Sequence, residues 1–472
     1  MLSTYLDDLY VIKNDGKYLV VNSRAGIDSW RFSYETVMRL YAKNQNVIFI
    51  DLSFLDPSSS ILFNVRKIVR SKLKSKNYEK SIYQRIKDRN IKVIQIRNFY
   101  KVLYFFDFSE VLNSFRTDSF FSDLHETAIR SWLAVSLGST HYSWNAKSKY
   151  QLFRVKRSIK WSRKILDRYV SRISINGVLT FNGRFPVDST LLTWVKDDAV
   201  QTILYDGGSL SGDNRNRIQF FETSPHNLAE IRIKIEEYWK AGEIVEREKI
   251  AVDYLNAISD GRRSLNSTFK WNTNIQREIV DAKESVVFFA SSDWEQGAIS
   301  KWLPTSGFKS QFEAADALIE ICRELGLDLI IKLHPIRKNF KGKKSIKAEE
   351  SAWSKYSCMS RVRILFQAQG VNPTELLAKS IINVGFRTSL TAQSLYSGKN
   401  TAVCAQVPWI KCESNSIYTP DKLSLKLRIE KALNQPGETI DKLPLFKWAY
   451  YQAVCGSQIN FSEINKSQLI LV

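Results

Sequence analysis

Three short polar turns between residues 329 and 406, two of them at the ends of apolar runs, have residue types that suit a negatively charged ligand. The run Leu329-Ile330-Ile331-Lys332-Leu333 stops at His334-Pro335, and the proline prevents the strand from simply continuing. Asn372-Pro373-Thr374-Glu375 opens a helix. Ser380-Ile381-Ile382-Asn383-Val384-Gly385-Phe386 runs into Arg387-Thr388-Ser389, at the start of a helix from Leu390 to Tyr396 that Gly398 ends. Basic side chains and hydroxyls beside a helix N-terminus are phosphate-binding chemistry, because free backbone N–H groups and the dipole both favour negative charge. Glu375 has two readings of equal weight: an acceptor for a ribose or sugar hydroxyl, or a first-turn acid favoured by the dipole.

The elements that position these turns follow from the same pattern. A parallel sheet buried on both faces is made of continuous apolar strands, and its ligands bind outside the carboxyl ends. Ser285-Val286-Val287-Phe288-Phe289-Ala290 is such a strand and leads to Ser291-Ser292-Asp293-Trp294-Glu295. The helix Lys309 to Leu325 follows, striped by Phe312, Ala315, Leu318, Cys322 and Leu325 and stopped by Gly326. Earlier, Gly177 to Phe181 ends in Asn182-Gly183-Arg184, Asp188 is placed to cap a helix Ser189 to Lys196, and Val200 to Tyr205 ends in Asp206-Gly207-Gly208. Strand, helix, strand implies a parallel unit with both turns at one edge, so Asn182, Arg184 and Asp206 share a cleft. Taken alone, Asp206-Gly207 also reads as an ordinary turn. Lys17 to Asn22, Asn46 to Phe54 and Ile91 to Ile96 begin the first sheet, and a polar helical stretch from Ser224 to Lys283 holds the crossover to the second. The isolated His125, His141 and His226 carry no pattern of their own.

Length and composition set the outer limits. A chain of 472 residues with 44% hydrophobic content buries more than one core. No apolar run approaches the ~20 residues a membrane span needs, and residues 1–10 lack the basic-then-apolar pattern of a signal peptide, so a cytoplasmic protein is expected. Five scattered cysteines without a C-x-x-C pair argue against a disulfide framework or a zinc site, and Cys322 and Cys404 read as core residues. The net charge is +21, of which residues 61–90 carry +8 and residues 151–172 carry +7. Leu152, Val155, Ile159, Leu166 and Tyr169 fall at helical spacing, giving a basic amphipathic helix. Such a helix lies on an anionic membrane surface, at about 1 kcal/mol per nearby basic residue, contacts nucleic acid, or packs its apolar face on its own domain.

The order Asn182-Gly183-Arg184, Tyr205-Asp206-Gly207, Ser291-Ser292, Lys332-Leu333-His334-Pro335, Thr388-Ser389-Leu390-Thr391 resembles bacterial glycosyltransferases of the GT-B fold. It is most similar to those that build capsule or lipopolysaccharide glycans, the Kdo transferases and sialyltransferases that use CMP-activated sugars. The resemblance covers residues 178–407 and implies an α/β chain of two Rossmann-like domains, their parallel sheets facing a cleft. It implies an acceptor-side domain over residues 1–265 with basic helical insertions, a nucleotide-sugar-binding domain over 266–450, and a tail over 451–472 that packs back on the first domain. His334 and Pro335 match the His-Pro motif whose histidine contacts the donor phosphate, and Thr388 and Ser389 match the Ser/Thr motif for the same phosphate. Where sialyltransferase-like members carry an acidic pair before glycine, this chain has Tyr205 and Asp206, leaving Asp206 as general base and Glu295 as the second candidate. No obligatory metal or other cofactor is implied.

The chemistry fits the residue types. A sugar leaves its nucleotide phosphate as an acceptor hydroxyl attacks, so a carboxylate must take the hydroxyl proton and cations or dipoles must steady the leaving phosphate. Asp206 or Glu295 suits the first role, and Lys332, His334, Arg387 and the helix start at Ser389 suit the second. The expected partners are a nucleotide sugar, a CMP-sugar favoured over UDP- or GDP-sugars, a glycan or glycolipid acceptor, and an anionic membrane surface at the inner face of the inner membrane. Two other readings stand beside it: a nucleotide-sugar epimerase of the same architecture, and a non-enzymatic basic protein that binds polyanions. No recognised nucleic-acid-binding motif occurs.

Overall fold

The computed structural model describes residues 16–24, 27–57, 84–96, 101, 104, 123–137, 145–195, 199–207, 217–259, 282, 284–292, 307–334, 350–366, 371–410, 416–435, 437 and 441–458. Their strands form two sheets. The first contains β1 (Lys17–Asn22), β2 (Asn46–Asp51), β3 (Lys92–Ile94), β4 (Gly177–Phe181), β5 (Gln201–Gly207), β6 (Arg217–Phe221) and β12 (Ser457–Gln458), in the order β12-β6-β5-β4-β1-β2-β3. β1 to β5 pair in parallel, β6 joins β5 antiparallel, and β12 joins β6 antiparallel. The second sheet contains β7 (Ser285–Phe289), β8 (Asp328–Lys332), β9 (Val362–Leu365), β10 (Ile382–Gly385) and β11 (Thr401–Val403), all parallel, in the order β11-β10-β7-β8-β9. Counted within each sheet, the parallel strands run 3-2-1-4-5, the order of a doubly wound Rossmann-like sheet. The α/β reading with two such sheets is therefore the architecture observed. Each sheet reverses its winding between its first and fourth strands, and that is where a doubly wound sheet opens a crevice for ligand.

The strands are apolar runs because helices cover both faces. On the first sheet Tyr18 and Val20 pack with Tyr34, Val37 and Leu40 of the helix Ile27–Ala42, while Leu19 and Val21 pack with Trp161, Ile165 and Leu191 from the helices Ala146–Tyr169 and Pro186–Trp194. On the second sheet Phe288 and Ile331 meet Leu318 and Ile321 of the helix Gln311–Leu325, and Val287 and Ile330 meet Leu376 and Leu377. That helix is capped as its sequence requires: Ser310 Oγ accepts from Glu313 N at 3.2 Å, and Gly326 leaves it at φ 67°. Cys322 and Cys404 lie in the core.

A third apolar cluster joins helices Leu228–Ala241, Ile244–Ser259 and Leu443–Val454, with the edge-on pairs Tyr238–Tyr451 at 5.4 Å and Trp239–Tyr450 at 5.8 Å. From it Tyr451 Oη donates to Gln219 Oε1 at 2.6 Å, and β12 then pairs with β6, so residues 443–458 are tied to the first sheet.

Two local expectations are corrected. The helix after β4 begins at Pro186, whose missing N–H suits the first turn, so Asp188 lies inside that turn rather than at its cap; it is fully buried and accepts from Thr180 Oγ1 at 2.5 Å. The basic helix Ala146–Tyr169 is not a simple amphipathic surface helix, because Arg154, Lys156 and Arg157 are all buried. Most of the other basic segment, residues 61–83, lies outside the described residues, as do His141, Glu295, Pro335 and the lysine-rich stretch 337–347.

Candidate functional site

At the switch point of the second sheet the polar turns converge as the sequence expects. β7 delivers Ser291 and Ser292, β8 delivers Lys332 and His334, and β10 delivers Arg387, Thr388 and Ser389. Ser291 stitches two of these strand ends together, its hydroxyl donating to the Phe386 carbonyl and its N–H to Gln311 Oε1 at 2.9 Å. Gly385 lets them come this close: a Cβ there would collide with Thr391 Cγ2 and lie 2.6 Å from Thr388 Cγ2.

Lys332 is the electrostatic centre of this edge. Alternation along β8 puts it on the Ile330 face, only 5% exposed, and no described carboxylate pairs with it. Burial pushes its ammonium down to about 8, so near neutral pH the structure holds a charge with no carboxylate opposite it among the described residues. Ser292 Oγ and His334 Nδ1, both buried, have no hydrogen-bond partner. Burial, with Lys332 nearby, lowers His334 to about 4, which leaves its imidazole neutral at physiological pH. Arg387 occupies the left-handed region at φ 53°, and burial lowers its guanidinium to about 10. Thr388 Oγ1 accepts from Leu390 N at 3.4 Å; Ser389 sits at the N-cap of Leu390–Tyr396 without capping through its side chain. Glu375 lies in the first turn of Pro373–Lys379 and accepts from Asn372 Nδ2 at 3.3 Å. Gln393 Nε2 donates to Thr374 Oγ1 at 3.3 Å, which fixes this helix against the helix Leu390–Tyr396.

The first sheet brings Asn182, Arg184 and Asp206 together at its own carboxyl edge. Asn182 turns left-handed at φ 58°, followed by Gly183 at φ 81°, and its amide Nδ2 donates to Asp206 Oδ2 at 2.5 Å. Asp206 Oδ1 accepts from Gly207 N at 2.7 Å. Burial raises the Asp206 carboxyl above the ordinary range, while Gly207, Arg184, Asn182 and Arg24 oppose the rise. The residue before it is structural. Tyr205 is on the opposite face, fully buried, its hydroxyl donating to the Val21 carbonyl at 3.0 Å, and burial pushes its phenol up. Strand alternation thus leaves one acid of the Tyr205-Asp206 pair at the site.

Two participants carry no sequence signal. His226 Nε2 lies 3.1 Å from Asn182 Oδ1, an atom that only accepts, so Nε2 carries the proton and holds the Asn182 amide with its donor toward Asp206. Burial lowers His226 to about 3, keeping it neutral. Arg24, just past β1, stacks 3.9 Å over the Phe185 ring and lies 3.6 Å from Asp56. Among the described residues no group of three or more His, Cys, Asp or Glu gathers as metal ligands, and no helix is long and apolar enough to cross a membrane.

No protein-family model matches the chain. No curated protein matches it either. Among solved structures, a beta Kdo 2,4 transferase, KpsC of Thermosulfurimonas dismutans, overlaps at 12% identity and a TM-score of 0.32, over 59% of this chain and 87% of that one. The UDP-GlcNAc 2-epimerase of Methanocaldococcus jannaschii, in complex with UDP-GlcNAc and UDP, overlaps at 10% identity and 0.28, over 90% and 95%. A glycosyltransferase of Rickettsia africae overlaps at 10% and 0.23, over 98% and 100%. Likeness at these scores carries no argument, and the fold rests on the strand order of the two sheets themselves.

Proposed function

We propose that the protein is a glycosyltransferase that moves a sugar from a nucleotide-activated donor to a glycan or glycolipid acceptor of bacterial surface-polysaccharide synthesis. The observation that carries this reading is the buried Lys332, paired with no carboxylate among the described residues, beside the unpartnered Ser292 Oγ and His334 Nδ1 at the switch point of the second sheet. A charge left without a counter-ion at a ligand-binding edge fits an anionic ligand, and a donor pyrophosphate or phosphate supplies one. Arg387, Thr388 and Ser389 would hold the same phosphate, and Glu375 a ribose or sugar hydroxyl. A CMP-sugar is favoured by the order of the His-Pro and Thr-Ser motifs.

In the proposed reaction the acceptor oxygen forms a bond to the anomeric carbon while the bond from that carbon to the donor phosphate oxygen breaks. The nucleotide leaves with the bonding electron pair, steadied by Lys332, His334 and Arg387. Asp206 takes the hydroxyl proton: desolvation raises its basicity, and Asn182 and Gly207 N–H hold the carboxylate in one orientation. Incubation with CMP-, UDP- and GDP-sugars and an acidic oligosaccharide acceptor tests the reading. Acceptor-dependent release of one nucleotide, lost in Asp206→Asn, is the expected result. Conversion of the sugar without acceptor supports the epimerase reading instead, and no turnover of any donor refutes both.

A further inference from the structure

The first unit contains a second concentration of uncompensated positive charge, on the helix Ala146–Tyr169. Arg154 and Arg157, one turn apart on that helix, are 8% and 4% exposed. Arg154 Nη2 and Arg157 Nε are buried without a hydrogen-bond partner, and neither guanidinium is ion-paired with a described carboxylate. Arg157 lies 4.6 Å over the Tyr104 ring and 5.0 Å over Phe153, and Arg154 lies 5.5 Å over Tyr150. The described carboxylate within the field of Arg154 is Asp56, and it already faces Arg24 at 3.6 Å. Tyr104 is no counter-charge, since burial raises its phenol and its hydroxyl donates to the Leu55 carbonyl at 3.2 Å. Burial pushes the Asp188 carboxyl up to about 7, against the opposing pull of Ser23, Thr180 and Arg24, so it is largely protonated below that pH.

Two buried guanidinium groups and the half-buried Arg24 therefore have, among the described residues, a single carboxylate near them, and a buried unpaired charge is strongly unfavourable. Such an arrangement persists when a ligand supplies the missing negative charge, and arginine forks suit phosphate and carboxylate oxygens. The position is also informative. Arg24 follows β1 at the switch point of the first sheet and lies within the electrostatic reach of both Asp206 and Asp56. The cluster thus borders the edge where Asp206 stands.

We infer that Arg154 and Arg157, with Arg24, bind an anionic group of the acceptor, a phosphate or a sugar carboxylate, and so position its hydroxyl toward Asp206. The inference rests on the glycosyltransferase reading for its placement in the reaction and on the buried arginines alone for the anion site.

The test uses the full chain in a Lys332→Met background, so that the second sheet's phosphate-binding edge is silent. Inorganic phosphate is titrated against chloride at constant ionic strength, with melting temperature and heat of binding recorded. The expected result is saturable phosphate binding, weakened at least tenfold in Arg157→Gln and in Arg154→Gln and less in Arg157→Lys. Arg157→Lys keeps the charge and guards against a variant that merely misfolds. Phosphate binding no stronger than chloride, or equal in all folded variants, overturns the inference. Sedimentation with phosphatidylglycerol vesicles, compared with phosphatidylcholine, separates the sources: arginine-dependent pelleting assigns the anion to a lipid headgroup, and phosphate binding without pelleting assigns it to a soluble acceptor. If phosphate binds here but no nucleotide binds the wild-type chain, the anion site stands and the glycosyltransferase reading falls. Nucleotide-dependent transfer to an acidic acceptor that is unchanged in Arg154→Gln and Arg157→Gln sinks the inference and leaves that reading intact.

Discussion

Replacing Lys332 by methionine should make the unliganded protein more stable while removing its affinity for nucleotide. The unfolded chain holds the Lys332 proton up to an ordinary lysine value of 10.5, whereas the folded chain holds it only to about 8. Below pH 8 both states are protonated and folding bears the full cost of the buried charge. As pH rises from 8 to 10.5 the folded state loses the proton first, the cost fades, and wild-type stability rises. At ~1.4 kcal/mol per pH unit the full cost is about 3 kcal/mol. Methionine nearly conserves the volume and carries no charge, so Lys332→Met should gain up to about 3 kcal/mol at pH 7. For a unit of this size that is roughly 6–12 °C in the melting temperature. The gain should vanish by pH 10.5, where the wild type has discarded the charge. A bound phosphate restores the wild-type proton, so nucleotide binding at pH 8.5 should take up about three-quarters of a proton, read by calorimetry in buffers of different ionisation enthalpy. A Lys332→Met protein that is less stable than wild type at pH 7, with nucleotide affinity unchanged, would refute the reasoning.

Other perturbations test separate parts of the site. Asp206→Asn should lower turnover by about 10²–10⁴-fold with nucleotide affinity retained, which kinetics and calorimetry on the same sample would separate. His226→Ala frees the Asn182 amide to rotate and should lower kcat more than it raises KM; rescue by His226→Gln, which can still donate to Asn182 Oδ1, distinguishes positioning from simple loss of packing. Asp188 is raised from 3.8 to about 7, so its protonated form favours folding below pH 4 and that contribution is lost as pH climbs through 7. Relative to wild type, Asp188→Asn should gain on the order of 4 kcal/mol between pH 4 and pH 8 in urea unfolding; a pH-independent difference would contradict this. Gly385→Ala should displace the Thr388 turn and weaken nucleotide binding, because the added methyl overlaps Thr391 and Thr388.

The sequence was most legible where strands are buried on both faces. Lys17–Asn22, Gly177–Phe181 and Ser285–Phe289 are continuous apolar runs, and each appears at the expected place in the structure. Polar turns at strand ends were equally readable, since a chain leaving a buried strand changes composition abruptly; Asn182, Asp206, Lys332 and Thr388 follow that rule. The strand Arg217–Phe221 carries little sequence signal, because its alternation is short and its pairing with β5 is antiparallel, outside the βαβ rhythm. His226 gave no signal because its partner Asn182 is 44 residues away in sequence. In the sequence Arg154 and Arg157 are two of the basic residues of 151–172, and charge and spacing do not reveal which side of a helix the fold encloses. The cap role expected of Asp188 failed for a local reason: Pro186 starts the helix two residues earlier.

The central claim is that the edge formed by Ser292, Lys332, His334 and Thr388 binds the phosphate of a nucleotide sugar. Calorimetric titration with CMP, UDP and GDP, on the wild type, Lys332→Met and His334→Ala, addresses it most directly. The account predicts that one nucleotide binds the wild type and that each variant weakens it by about tenfold to a hundredfold, the worth of a hydrogen bond to a charged group. Absence of binding by all three nucleotides, or binding that both variants leave unchanged, would contradict it.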